Sequence, residues 1–241
     1  MSYHVYADDL QIYATFLPGD VDNKQDVLSH IEACVSDMKY WMAANYLKLN
    51  QEKTEILVVK KKNTKQVFEV EHINIGDTAI TPSQTVRNLG VLFDSHLSMK
   101  DHVRATCKRA FFEIRNISRI RQFLDTASTK TLVHAYVTSK LDYCNSLLIG
   151  LPKCELDKLQ RVMNCAARLI TRKKKRDHIT PVLHSLHWLL VPERVEFKIL
   201  LLTFKALNGL APTYLTELLK LHCSGRSLRS NNQMLLDIPR T

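Results

Sequence analysis

Two adjacent carboxylates stand near the start of this 241-residue chain, in the run Tyr6-Ala7-Asp8-Asp9. Neighbouring carboxylates repel one another unless solvent or a cation offsets their charge. A hard divalent ion such as Mg²⁺ or Mn²⁺ offsets it through oxygen ligation. Two such ions about 4 Å apart activate a hydroxyl nucleophile and stabilise a departing pyrophosphate. A solvated acidic turn uses the same residues, because Asp is common in turns. Four residues alone do not separate these readings.

Cations are the second chemical resource. The chain carries a net charge of +10, unevenly placed. Residues 1–99 hold 9 Lys/Arg and 13 Asp/Glu, a net −4; residues 100–176 hold 18 and 6, a net +12; residues 177–241 hold 7 and 5, a net +2. The middle third therefore has the footprint of a polyanion-binding surface, or of solvated helix faces. Within it, Lys108, Arg115 and Arg119 recur along one side of a helical pattern over 99–122, with Arg104 one turn earlier. Val103, Ala110, Ile114 and Ile117 fall mainly on the other side. Phosphate contacts from such a face bind nucleic acid without sequence preference and weaken steeply with salt. Thr171 precedes a second basic feature, Arg172, Lys173, Lys174, Lys175 and Arg176. That run reads as a nuclear-import signal, a phosphate-contacting patch or a solvated linker.

Six cysteines are scattered with no C-x-x-C pair, which points to reduced, buried thiols rather than a disulfide framework. A zinc site from Cys154 and Cys165 with His178, His184 or His187 is the alternative, though no pair has finger spacing. No apolar run approaches the roughly 20 residues that span a bilayer, and the N-terminus has no signal-peptide pattern. An intracellular protein, nuclear or cytoplasmic, with no membrane partner is expected.

The elements that must position these groups follow from patterning. Residues 3–16 read as a hairpin with the acidic pair at its tip, followed by a turn at Pro18-Gly19-Asp20. Leu28, Ile31, Val35, Met38 and Trp41/Met42 recur at helical spacing and predict a helix over about 22–44. Strands are predicted at 54–59, 67–70, 72–75, 79–81 and 86–93, with a turn at Gly76-Asp77. Ser98 and Asp101 resemble a capping box, and Val103, Cys107, Ala110/Phe111, Ile114 and Ile117 open a long helix. Further helices are predicted over 128–149, 153–171 and 192–208, the last with Pro192 at its start and Gly209 past its end. The fold class is α+β over 1–96, followed by an all-helical module over 97–241.

Larger blocks extend the motif. Trp41, Asn45-Tyr46-Leu47-Lys48-Leu49-Asn50 and Lys53-Thr54-Glu55 come after Tyr6-Ala7-Asp8-Asp9. Arg87-Asn88-Leu89-Gly90-Val91 with Asp94 is next, then Leu141-Asp142-Tyr143-Cys144-Asn145-Ser146-Leu147-Leu148 with Gly150-Leu151-Pro152. Ala166-Ala167-Arg168-Leu169 and His187-Trp188-Leu189 with Pro192 complete the series. In this order the blocks resemble the C-terminal part of reverse transcriptases from LINE-type (non-LTR) retrotransposons, over nearly the whole chain. The resemblance implies an RNA-directed DNA polymerase: part of the palm over 1–96, then a thumb-like helical region. It implies that Asp8 and Asp9 are catalytic carboxylates and ligands of Mg²⁺ or Mn²⁺, Asp8 foremost. Tyr6 would lie beside the incoming nucleotide or primer, or serve simply as a strand aromatic. Lys53 would stand near the pyrophosphate as a general acid, or be a solvated lysine. Asn50 would fix a turn, Gly90 would allow close backbone approach in the primer-side hairpin, and Trp41 would face the core. The implied partners are an RNA template and the backbone of an RNA–DNA or DNA primer. The cations Arg104, Lys108, Arg115, Arg119 and Arg172 to Arg176 are the candidates to hold them.

The family's palm also uses an aspartate on an earlier strand, a glutamine-glycine block and the fingers, all far upstream of the hairpin. Only five residues precede Tyr6 here. Arg226-Ser227-Leu228-Arg229-Ser230 and Ile238-Pro239-Arg240-Thr241 resemble the start of a tail block that normally runs further. A truncated polymerase domain is expected, with metal binding weak or absent and no activity alone; the alternative is a non-catalytic basic nucleic-acid-binding remnant. The isolated 241-residue chain should therefore incorporate no deoxynucleotide on a primed RNA template. Template-dependent incorporation that disappears in Asp9→Asn would overturn that expectation.

Overall fold

The computed structural model describes residues 1–17, 19–61, 70–76, 78–222 and 235–237. The predicted strand over 67–70 lies mostly outside these residues, as do Pro18, Asp77, Cys223 and both tail blocks. The fold is mixed α+β and rich in helix, with strands only in small antiparallel pairs. Two units divide it, Met1–His102 and Val103–Thr241, where patterning places a boundary at 96/97.

In the first unit, alternating aromatic and β-branched residues pair as β1 (Ser2–Tyr6) and β2 (Asp9–Tyr13), in register from Ser2↔Tyr13 to Tyr6↔Asp9. α1 (Val21–Ala44) begins at Asp20, whose Oδ1 accepts the Asn23 N–H at 2.9 Å, and ends at Asn45. This side-chain acceptor satisfies a helix-start donor that has no partner within the helix. α1 packs on β3 (Ile73–Ile75), which pairs with β4 (Thr78–Ile80). Val35, Ile73 and Ile75 are buried, and Glu32 Oε1 accepts the Asn74 N–H at 2.8 Å. Trp41, expected in the core, is 60% exposed. Six residues beyond Val35 at 3.6 residues per turn is about 120° around the helix, so Trp41 leaves the buried stripe.

The single strand predicted over 86–93 is instead a hairpin of β5 (Thr85–Asn88) and β6 (Val91–Asp94). Leu89 and Gly90 turn it, with φ 44° and 84°. Positive φ at both central residues is what a type I′ hairpin turn requires. The segment predicted as a strand over 54–59 joins no sheet, although Ser83 N–H donates to Ile56 O at 2.8 Å and Lys60 N–H to Ser95 O at 2.9 Å.

Asp94 ends this unit's last strand and shapes the entry to α2 (Lys100–Ile120). Its carboxylate accepts the backbone N–H groups of His96, Ser98 and Met99, at 3.1, 3.0 and 2.8 Å, and the Ser98 hydroxyl at 3.2 Å. Leu97 and Met99 both take positive φ, 50° and 55°. That conformation is costly for side chains of this size. The four donors to Asp94 offset the cost, and the Ser98 hydroxyl expected to head the helix donates to this carboxylate.

In the second unit α2 is followed by a 3₁₀ turn at Arg121–Phe123 and α3 (Thr126–Val133), which Asp125 caps through Ser128 N–H at 2.7 Å. The helix expected over 128–149 is interrupted. A π-helical stretch His134–Thr138 leads into α4 (Ser139–Asp142), and Cys144 turns with φ 50° before the 3₁₀ turn Asn145–Leu148. α5 (Lys153–Thr171) is the central helix, and Leu159, Val162, Met163, Ala166, Ala167 and Ile170 are buried along it. It packs against α3, α6 (Thr180–Ser185) and α7 (Val191–Leu207); α8 (Thr213–Thr216) follows α7. α7 starts with Pro192 and Glu193, whose carboxylate accepts the Leu190 N–H at 3.0 Å, and Gly209 follows it at φ 68°. The cysteines expected to be buried are not: Cys144 and Cys154 are exposed, and Cys34, Cys107 and Cys165 are half-buried. Among the described residues no helix is long and apolar enough to cross a membrane.

Burial raises the Asp94 pKa, but the hydrogen bonds from Ser98, His96 and Met99 outweigh it and hold the carboxyl below its usual 3.8. A depressed folded-state pKa contributes stability that is complete above the unfolded value and lost as pH falls through the folded one. Below pH 3.8 the urea midpoint of the wild type should therefore fall more steeply than that of Asp94→Asn. Parallel curves would remove this role.

Candidate metal and nucleic-acid sites

The tip of the first hairpin is a two-residue turn, Ala7-Asp8, closed by the Tyr6↔Asp9 pair. Ala7 takes φ 53°, the positive φ that short hairpin turns demand. Asp8 and Asp9 are both exposed, and neither side chain has a hydrogen-bond or ion-pair partner among the described residues. Uncompensated carboxylates are oxygen donors of the kind a hard divalent ion takes. Among the described residues no group of three or more His, Cys, Asp or Glu side chains gathers around a common point. That holds for the Cys154, Cys165 and histidine combination as well.

A second hairpin is tied to the first. Gln11 Nε2 on β2 donates to Asn88 Oδ1 on β5 at 2.8 Å. Arg87 N–H donates to Glu55 Oε2 at 3.3 Å, so the Lys53-Thr54-Glu55 block touches the same hairpin. Gly90 stands at the exposed turn of that hairpin. Lys53 closes a 3₁₀ turn, Gln51–Lys53, built on the Asn50 carbonyl, which accepts Lys53 N–H and the Thr54 hydroxyl. Lys53 is exposed, and no hydrogen bond or ion pair joins it to Asp8 or Asp9. Tyr6 is 61% exposed at the end of β1.

The cations of α2 lie as patterning expects. Val103, Ala110 and Ile117 are buried, while Arg104, Lys108, Arg115 and Arg119 are exposed. Glu113, on a different flank of the helix, accepts from Lys140 of α4 at 2.9 Å. Phe111, expected with the apolar face, is 37% exposed and falls on the cationic flank. Residues 104, 108, 111 and 115 repeat at helical spacing, so one aromatic is interleaved with three cations.

Where α2 ends, Arg121 turns inward. It is 8% exposed and donates to three main-chain carbonyls: Leu124 at 2.7 Å, Leu169 at 2.9 Å and Ile170 at 2.9 Å. The last two belong to the final turn of α5, whose carbonyls have no helical partner. Arg172 follows in the left-handed conformation, φ 55°, and its Nη2 donates to Arg121 O at 3.3 Å. The basic run therefore leaves α5 beside the end of α2. Lys173, Lys174, Lys175 and Arg176 are exposed, in a loop that Asp177 folds by accepting Lys174 N–H at 2.7 Å.

Near the other end of α2, Arg104, Cys107 and Phe111 face Lys158 and Arg161 of α5. Burial pushes the Cys107 thiol pKa up, Lys158 pulls it down and Glu155 pushes it up again, for a net rise. Lys158, Arg161 and Arg121 were not singled out from sequence. Phe111 offered a signal, an aromatic at cation spacing; the α5 residues offered none before α2 and α5 were packed together. Compared with known proteins, the chain matches no family model, no curated protein and no solved structure.

Arg121→Met would leave three carbonyls without their donor. Hydrogen bonds to a charged group are worth roughly 1.5–3 kcal/mol each, not additively, so a loss of about 3 kcal/mol is expected. Urea unfolding of the two proteins measures it, and a change under about 0.5 kcal/mol, typical of a surface site, would deny Arg121 this role.

Proposed function

We propose that this chain is part of an RNA-directed DNA polymerase of the non-LTR retrotransposon type, carrying its acidic hairpin and its thumb-like cationic helix. The observation that carries the reading is the exposure of Asp8 in the turn of an antiparallel hairpin and of Asp9 in the strand pair that closes it. Nothing in the described protein neutralises these carboxylates, so a divalent cation is their natural partner. With Mg²⁺ or Mn²⁺ bound, such a site supplies Lewis-acid activation of a primer 3′-hydroxyl and neutralisation of a leaving pyrophosphate. Asp8 and Asp9 hold the charge at the tip, and the Gln11–Asn88 bond keeps the Gly90 hairpin beside the strand that carries them. Arg104, Lys108, Arg115 and Arg119 provide a face for phosphates, extended at the far end of α2 by the run that starts at Arg172.

A second reading, a nucleic-acid binder without catalysis, is favoured by one observation: the cationic face lies wholly within the second unit and owes nothing to the hairpin.

Calorimetric titration with Mg²⁺ and Mn²⁺ separates the two. Weak binding lost in Asp8→Asn supports the polymerase reading; indistinguishable traces leave the second. A fluorescence-anisotropy salt series measures what they share. With four to six phosphates engaged, log K should fall against log salt with a slope of roughly −3 to −5. Lys108→Gln with Arg115→Gln should flatten that slope by about two on every sequence tested. Weak binding unaltered by the double substitution would mean that these cations only solvate a helix face.

A further inference from the structure

α2 and α5 border a groove of about 290 Å³ lined by Arg104, Cys107, Phe111, Lys158 and Arg161. Three of these five side chains are cationic, and one of them, Lys158, is neutralised by Glu155. Both oxygens of Glu155, itself 5% exposed, lie 2.8 Å from Lys158 Nζ. Arg161 is exposed and has no hydrogen-bond or ion-pair partner among the described residues. The uncompensated charge of Arg161 sets a positive potential in this cleft, which an anion relieves. Cys107 and Phe111 contribute an apolar wall, and Phe111 is accessible enough to meet a ligand. The groove therefore combines phosphate-binding cations with an aromatic surface. Its volume falls just below the range of ligand sites, about 300 to 1,000 Å³, so it takes one small group rather than a larger ligand.

We propose that this groove holds one unpaired nucleotide of a single-stranded nucleic acid, its phosphate between Arg104 and Arg161 and its base against Phe111. The proposal rests on the nucleic-acid reading of α2 given above and adds a preference to it. Phosphate contacts along a helix face accept single strands and duplexes alike. A base enters a pocket only when it is free of its stack, and aromatic stacking then adds affinity whatever the base.

Cys107 supplies a readout inside the groove. The full chain is alkylated with iodoacetamide, alone or with a short oligonucleotide or a blunt duplex of the same length, each at matched occupancy by anisotropy. Peptide mass spectrometry follows each cysteine. The single strand is expected to slow alkylation of Cys107 by about fivefold or more, to leave the exposed Cys144 unchanged, and to do so where the duplex does not. Arg161→Gln, at an exposed position, and Phe111→Leu, which keeps the wall apolar, should each weaken single-strand binding by about fivefold or more and leave duplex binding nearly unchanged. Far-UV circular dichroism verifies that both variants are folded. Single-strand binding with Cys107 unprotected would overturn the groove while leaving the phosphate-binding face of α2 intact. Equal protection by the duplex would overturn the unpaired nucleotide. Protection by a phosphoserine peptide but not by the oligonucleotide would assign the groove to another ligand and overturn the proposal. Absence of binding to either nucleic acid would remove this proposal and the α2 reading together.

Discussion

The buried guanidinium of Arg121 is the contact on which the second unit's surface depends. A helix leaves its last carbonyls without partners, and a buried helix end needs donors from elsewhere. α5 takes them from a side chain that belongs to the end of α2, through Leu169 O and Ile170 O. A planar cation with several fixed donors suits this task, where a lysine would offer a single point charge. One residue thus registers two helices against each other. With that register set, Arg104 and Phe111 come to line a groove with Lys158 and Arg161, and Arg172 emerges beside Arg121.

In the first unit the equivalent device is a carboxylate. Asp94 gathers donors from His96, Ser98 and Met99 and stabilises two left-handed residues that their side chains disfavour. Elsewhere in this unit single side-chain bonds tie small elements together. Glu32 holds β3 to α1, and Gln11 holds one hairpin to the next. Among the described residues the strands pair only two by two, so these polar ties do work that a larger sheet's ladder would otherwise do.

Much of this was legible along the chain wherever a local rule applied. The alternating residues around Asp8 and Asp9 require a hairpin, and Asp20, Pro192 and Gly209 mark helix ends through capping and φ preference. The breaks were harder. Patterning reads 86–93 as one strand, whereas the family resemblance implies a hairpin over the same residues, and a hairpin forms. The interruption at Cys144 has no glycine or proline before it, so the pattern over 128–149 looked continuous. Helical spacing leaves Trp41 and Met42 both open as the last member of the apolar series of α1, and the angle of Trp41 from Val35 takes it off the buried side. Spacing likewise leaves Ala110 and Phe111 both open on α2; Ala110 is buried, and Phe111 falls on the flank of Lys108 and Arg115.

By itself the sequence determined the local conformations and the inventory of charges: a hairpin with two carboxylates at its turn, an amphipathic helix with cations on one flank, a basic run after a helix. These are short-range properties, dictated by side-chain periodicity and backbone preference within a few residues. Tertiary structure alone decided which charges meet. Lys140 meets Glu113 of α2 while Arg161 has no partner among the described residues, Arg121 is buried among carbonyls while Arg119, two residues earlier, is exposed, and a phenylalanine on α2 shares a groove with cations from α5. Charge partnership and burial are set by residues some fifty positions apart, which no periodicity within either helix encodes.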